Sequence, residues 1–316
     1  MYYNLSMQFL IITSCTRRKR VGLIPALSAG QLIPGSHREV ARQWVALAKA
    51  TEGKMPADQL YVGRAIKEVK VVAKILDAKL SFASTGFGLI DAKIELPNYD
   101  LTVADPTDAI RTKVVDQSFS SQKWWTCVNR LGETKSLAVQ LEESPHLIIL
   151  MALPKAYLAL INHELAEITK ENSHRLRVFT SPDNLKSLPE CIRDAYMPYD
   201  ERFDGVGSPV PGTRSDYPQR VMRHFAEFVI NKNSPDLDSE KKDVLKLLSS
   251  MNFRKKVERK QVSDDEVRKI VRQHLNNGYV SAAKMLRVFR DDLLIACEQK
   301  RFAKIFRELN SSLNEA

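Results

Sequence analysis

Short apolar, β-branched runs alternate with amphipathic stretches over the first three quarters of the chain. Gln8–Thr13 (QFLIIT) is such a run, ended by Ser14 and Cys15, and its pattern predicts a buried strand. Lys79–Ala83 (KLSFA), His146–Ala152 (HLIILMA) and Arg175–Thr180 (RLRVFT) read the same way. Helical patterns fall between them. Pro34–Gly35–Ser36 supplies a turn and an N-cap for a helix from about His37 to Ala50. Ile66, Val69, Val72 and Ile75 recur at helical spacing across Arg64–Leu76. Pro154 opens a helix whose stripe is Tyr157, Leu160, Ile161, Leu165 and Ile168, and Tyr217–Ile230 predicts another.

Strands alternating with helices predict an α/β domain over residues 1–232, with a parallel sheet of about four strands flanked by helices. Ser234–Pro235 marks a linker, and residues 233–316 are expected to be wholly helical. There, Ser263 caps a helix over Asp264–Leu275 with three acidic residues in its first turn. Asn276–Asn277–Gly278 stops it, and Ser281 caps a second helix, AAKMLRVFR, bearing Lys284, Arg287 and Arg290. That outline is helix-turn-helix-like and makes these three cations candidate nucleic-acid contacts. The alternative is a helical bundle that covers the sheet or forms an interface.

Composition narrows the class. Of 316 residues 44% are apolar and 27% charged, as in folded soluble proteins. No run approaches the roughly 18–20 apolar residues that span a bilayer. Tyr2, Tyr3 and Asn4 precede the first apolar run where a secretory signal needs basic residues, so a cytoplasmic location and no membrane partner are expected. The four cysteines contain no CxxC pair and the six histidines no HExxH, so neither a metal nor a disulfide framework is expected. No P-loop spacing occurs, and no cofactor is expected.

Charge adds a partner. The formal net charge is +10, and residues 252–310 hold 15 Lys or Arg against 8 Asp or Glu. A second cluster, Arg17–Arg18–Lys19–Arg20, follows the first predicted strand. Two separated basic sites suit a protein that grips a phosphate backbone with one part and works on it with another. The bland reading of each cluster is a solvated face.

Ligands of open parallel sheets gather beyond the carboxyl ends of the strands, and three segments fall there. The first is Thr13–Lys19, where Ser14 and Cys15 allow close approach of a base or anion and Lys19 with Arg17, Arg18 and Arg20 neutralises phosphate. Cys15 has a bland reading as a small buried hydrophobe. The second runs from Ser84 through Gly86, Phe87 and Gly88 to Asp91, then on to Tyr99 and Asp100. Phe87 could stack on a base, and Asp91 and Asp100 are the candidate catalytic carboxylates, able to position water or stabilise a cationic sugar. Against that stands the habit of loop aspartates to form turns. The third is Phe203–Arg214, dense in Gly and Pro, in which Asp204 and Arg214 bind substrate and phosphate or simply pair. Arg64 is a further candidate phosphate contact. Trp124–Trp125 suit either core packing or, for an exposed one, base stacking.

Taken together, Ser14–Cys15 with Lys19, Leu60–Tyr61–Val62–Gly63, and the Ser84–Leu89 loop running to Tyr99–Asp100 resemble the superfamily of the peroxide-stress protein YaaA. Cys15/Lys19 and Ser36/His37 are similar to elements of the lysine-transferring domain of archaeosine synthase. The resemblance covers about residues 8–230, implies a uracil-DNA glycosylase-like fold, and leaves the carboxyl-terminal helices unaccounted for. The water-activating motif of ordinary uracil-DNA glycosylases is missing from the chain, which argues against uracil itself as substrate. The resulting expectation is a DNA glycosylase that removes a modified base from duplex DNA after flipping it, in defence against phages with hypermodified DNA. Two alternatives accompany it: a non-catalytic DNA-binding stress protein, and a transferase that modifies a base in RNA.

Overall fold

The computed structural model describes residues 7–20, 27–102, 109–115, 118–205, 207–253, 258–276 and 281–314. The chain forms two compact units, Met1–Arg254 and Lys255–Ala316.

The first unit is built on a five-stranded sheet. Its strands are β1 (Gln8–Ser14), β2 (Lys79–Ser84), β3 (Gly88–Asp91), β4 (Leu147–Ala152) and β5 (Leu176–Phe179), in the order β3-β2-β1-β4-β5. The four expected strands run parallel, Ile12 standing beside Ser81 on one side and Met151 on the other. Their continuous apolar runs follow from burial on both faces, and every residue of β4 is buried. The fifth strand corrects the expectation of an all-parallel sheet. What reads as a glycine-bearing loop closes into a hairpin, and β3 returns antiparallel to β2 with Ser84 opposite Gly88. Gly88 has φ +74°, a left-handed conformation that glycine adopts without steric cost. The outer edge of β3 is closed by side chains: Leu89 N donates to Asn129 Oδ1 at 2.8 Å, and Thr134 Oγ1 donates to Leu89 O at 3.1 Å.

The principal helices of this unit are α1 (His37–Ala50), α2 (Arg64–Leu76), α3 (Ser121–Leu131), α4 (Lys155–Leu160), α5 (Asn162–Ala166), α6 (Tyr217–Phe228) and α7 (Leu237–Ser249). A capping box between Ser36 and Glu39 starts α1 where the sequence predicts. α1 packs on α3, and α2 on α6. The single helix expected after Pro154 is interrupted at Ile161 (φ −101°, ψ 8°), although its stripe from Leu158 to Ile168 stays buried.

The division at 254/255 lies beyond the expected boundary at 232/233. α7 belongs to the first unit because Glu240 pairs with Arg177, a fully buried cation on β5 whose Nη1 also donates to His174 O and Leu176 O. A charge in that position requires a partner, and α7 supplies it.

The second unit holds α8 (Asp264–Asn276), α9 (Ala282–Arg287) and α10 (Gln299–Asn314) around Val267, Val271, Met285, Phe289, Phe302, Ile305 and Phe306. It is not wholly helical, since Lys260–Gln261 pairs in parallel with Ile295–Ala296. The helix expected to run through Arg290 gives way to one wide π-type turn over Val288–Asp292. The turn that would define a helix-turn-helix, residues 277–280, lies outside the described residues. Among the described residues no helix is long and apolar enough to cross a membrane.

Candidate functional site

The chain leaves β1 at Ser14 and runs antiparallel to Leu60–Val62. Arg20 N donates to Leu60 O at 2.8 Å, Val62 N donates to Arg18 O at 3.1 Å, and Lys19 bridges Tyr61. Thr16 Oγ1 also donates to Val62 O at 3.1 Å. Extended backbone alternates its side chains, which separates Lys19 from Arg18 and Arg20, and Arg17 lies in the bend that precedes them. Arg17, Arg18 and Arg20 are exposed, while Lys19 is half-buried with Nζ 4.0 Å from the centre of the Tyr99 ring. Burial holds the Lys19 ammonium below its ordinary range, against the opposing pull of Cys15 and Asp100 and with a smaller push from Arg17.

Beneath Lys19 three hydroxyls close a ring. Tyr61 donates to Ser84 Oγ at 3.3 Å, and the Tyr61 and Tyr99 oxygens stand 2.6 Å apart. Ser84 Oγ lies 2.8 Å from the Tyr99 oxygen. Since each hydroxyl has one proton, Tyr99 donates to Tyr61 and Ser84 to Tyr99. Ser84 Oγ also accepts from Gly86 N and Phe87 N, which folds the loop back on its own strand end. Burial pushes both tyrosines well above the ordinary phenol range, so they remain neutral donors.

Two tryptophans immobilise the same loop: Trp44 Nε1 donates to Gly86 O at 2.8 Å and Trp124 Nε1 to Thr85 O at 2.6 Å. A Cβ at Gly86 would come within 3.3 Å of both Trp44 and Tyr99, so glycine permits this approach. Trp125 is buried too, donating to Glu164 Oε2 at 2.9 Å. Both members of the pair therefore pack in the core, and neither is available for stacking on a base. Cys15 is buried, its Sγ 3.1 Å from the Tyr157 hydroxyl on α4.

The predicted residues thus separate into groups. Ser14, Cys15, Lys19, Ser84, Gly86, Phe87 and Tyr99 gather at the carboxyl ends of β1 and β2, with exposed Asp100 close enough for its charge to act on Lys19. Within this group, Ser84, Gly86 and Tyr99 are buried and committed to holding the loop. Phe87, half-buried, meets Tyr99 edge-on at 5.0 Å and lines an apolar cavity of about 430 Å³. Asp91 lies apart along the sheet but lines the same cavity as Phe87, which Lys19, Tyr99 and Asp100 do not line. It pairs in register with Ser81, about 10 Å along β2 from Ser84, and its Oδ1 accepts from Lys93 N in a turn. Gly88 serves the hairpin.

The third segment does not join the site. Asp204 Oδ1 accepts from Arg220 Nη2 at 2.7 Å, and fully buried Arg220 also binds Asp216, Val210 O and Thr213 O. Asp204 is an ion-pair partner that fixes the loop around Arg220. Arg64 joins the same loop, 3.6 Å from Asp216 and 3.5 Å from Pro211 O, whereas Arg214 is exposed. In the second unit Lys284 and Arg287 are exposed, but Arg290 donates to Cys297 O at 2.9 Å within its own fold. Ser36 and His37 serve α1: Ser36 caps it and His37 Nε2 accepts from Ser120 N.

Sequence reasoning missed Trp44 altogether and read Tyr157 only as part of an apolar stripe. Both hold the site through long-range hydrogen bonds, and Trp44 announces itself only as a polar-tipped aromatic on an amphipathic helix. No grouping of three or more metal-ligating side chains occurs among the described residues. Compared with protein-family models, curated proteins and solved structures, the chain matches none.

Proposed function

We propose that the chain is a DNA glycosylase, with a uracil-DNA glycosylase-like sheet as its base-processing unit and residues 255–316 as a basic grip on the duplex. The observation that carries this reading is the placement of Lys19 and Asp100. A partly desolvated cation lies beyond the end of β1 over a base made rigid by the hydroxyl ring, within reach of the charge of solvent-facing Asp100. Cleavage of an N-glycosidic bond develops positive charge on the sugar, and an anionic Asp100 stabilises it and positions water. Exposed Arg17, Arg18 and Arg20 supply backbone charge beside that centre, with Lys284 and Arg287 on the second unit. Phe87, half-buried against Tyr99, is the aromatic against which an extruded base stacks. Modified phage DNA as substrate and a cytoplasmic setting complete the proposal.

One observation favours a second reading, an RNA base-modifying transferase: the Cys15 thiol stands at the same strand ends, 3.1 Å from a neutral phenol. The two readings part on a single experiment. Purified protein is incubated with duplex DNA carrying assorted modified bases and with folded RNA. The glycosylase reading expects free base and abasic sites from DNA; modified RNA without base release from DNA overturns it. Salt-sensitive binding of DNA with neither product would leave only a binding protein.

A further inference from the structure

We propose that the ε-amine of Lys19 is a nucleophile that attacks the sugar carbon C1′ and forms an imine with the abasic deoxyribose. The proposal rests on the glycosylase reading for its substrate but makes a separate claim, since an abasic sugar offered ready-made tests it without base release.

The geometry distinguishes this lysine from its neighbours. The strand pairing with Leu60–Val62 turns Arg18 and Arg20 outward and Lys19 inward, against the face of Tyr99, while Arg17 is exposed in the bend before it. A side chain packed on a buried ring loses the water that stabilises an ammonium, and among the described residues Lys19 forms no ion pair to replace it. Desolvation in this way activates amine nucleophiles. Tyr99 is itself fixed through Tyr61 and Ser84, so the amine is held over a rigid floor. Asp100 follows Tyr99 directly, and its carboxylate is exposed.

The electrons balance without a co-reactant. The ammonium gives one proton to solvent water, and the freed nitrogen pair forms a bond to C1′. The C1′–N bond breaks with its pair passing to the base, which leaves after protonation by water. The nitrogen then loses its second proton as the C1′–O4′ bond opens, O4′ becomes a hydroxyl, and a protonated imine remains. With a ready-made abasic site the open-chain aldehyde adds the amine and releases one water to give the same imine. Hydrolysis returns the lysine and the aldehyde.

The full-length protein is incubated with a duplex containing one preformed abasic site, in the presence of sodium borohydride, which reduces an imine to a stable amine. Intact mass and peptide mapping locate the adduct. The expected result is one adduct on Lys19, lost in Lys19→Arg, which keeps the positive charge. Adducts spread over surface lysines, or trapping undiminished in Lys19→Arg, would overturn the proposal. Mapping of the unaltered protein decides the matter even if a variant fails to fold. A Lys19 adduct without base release from modified DNA would defeat the glycosylase reading and keep the nucleophile. Base release with no Lys19 adduct would do the reverse.

Discussion

Replacing Tyr99 by Phe removes one oxygen from the buried hydroxyl ring and leaves the aromatic floor beneath Lys19 in place. That oxygen donates to Tyr61 across 2.6 Å and accepts from Ser84 across 2.8 Å. Without it the Ser84 hydroxyl proton has no acceptor in a position closed to water. An orphaned buried donor costs about 1–3 kcal/mol. In a unit of this size each kcal/mol moves Tm by about 2–4 °C, so the expected fall is about 2–12 °C. Tyr61→Phe strands the Tyr99 proton in the same way. The double variant leaves only Ser84 unpaired, so the two single losses should exceed the double loss by about 0.5 kcal/mol or more. The assay is urea unfolding followed by tryptophan fluorescence. All three tryptophans, Trp44, Trp124 and Trp125, lie in the first unit, so the signal reports that unit alone. Tyr99→Phe keeps the ring under Lys19, and chemistry at Lys19 should survive at temperatures where the variant is folded. Strict additivity of the two tyrosine changes, or a Tyr99→Phe protein as stable as its parent, would refute the closed ring.

Further predictions concern the sheet edges and the pH response. Gly88→Ala puts a side chain on a left-handed backbone and overlaps Asn129 Oδ1, so it should cost more than about 1 kcal/mol and speed hydrogen exchange at the Leu89 amide. Glu240→Ala strands the buried Arg177 guanidinium and should cost about 3–5 kcal/mol in urea unfolding, a loss largely recovered in an Arg177→Met/Glu240→Leu double variant. Lys19 binds fewer protons folded than unfolded between its depressed value and 10.5, so its contribution to stability rises with pH across that window. Comparing unfolding of the parent and Lys19→Met over that range checks the sign; Cys15, Asp100, Arg17, Tyr61 and Tyr99 are the groups that face the amine and must be carried unchanged.

The four parallel strands were legible because burial on both faces writes an uninterrupted apolar run into the sequence. β3 was not, since its four residues end in an aspartate and its partner is fixed by a hairpin rather than by its own pattern. Pattern also places Asp91 near the glycine loop, but the antiparallel return carries it toward the other end of β2. The site was half legible. Cys15, Lys19 and Asp100 were identified from their places after strand ends, whereas the inward turn of Lys19 depends on pairing with residues 60–62, some forty positions away. Asp204 was visible as a carboxylate in a loop; its partner Arg220 was not, because a cation on an amphipathic helix ordinarily faces water. The boundary before residue 255 was hidden for the same reason: α7 looks like part of a charged helical tail until Glu240 meets Arg177.

The most direct test compares two carboxylates. The parent protein, Asp100→Asn and Asp91→Asn are incubated with unmodified DNA and with hypermodified phage DNA, and free base and abasic sites are quantified by mass spectrometry. The account predicts matched free base and abasic sites from modified DNA with the parent and Asp91→Asn, and their loss with Asp100→Asn. Absence of release from every DNA by the folded parent, or release that survives Asp100→Asn and fails with Asp91→Asn, would contradict it.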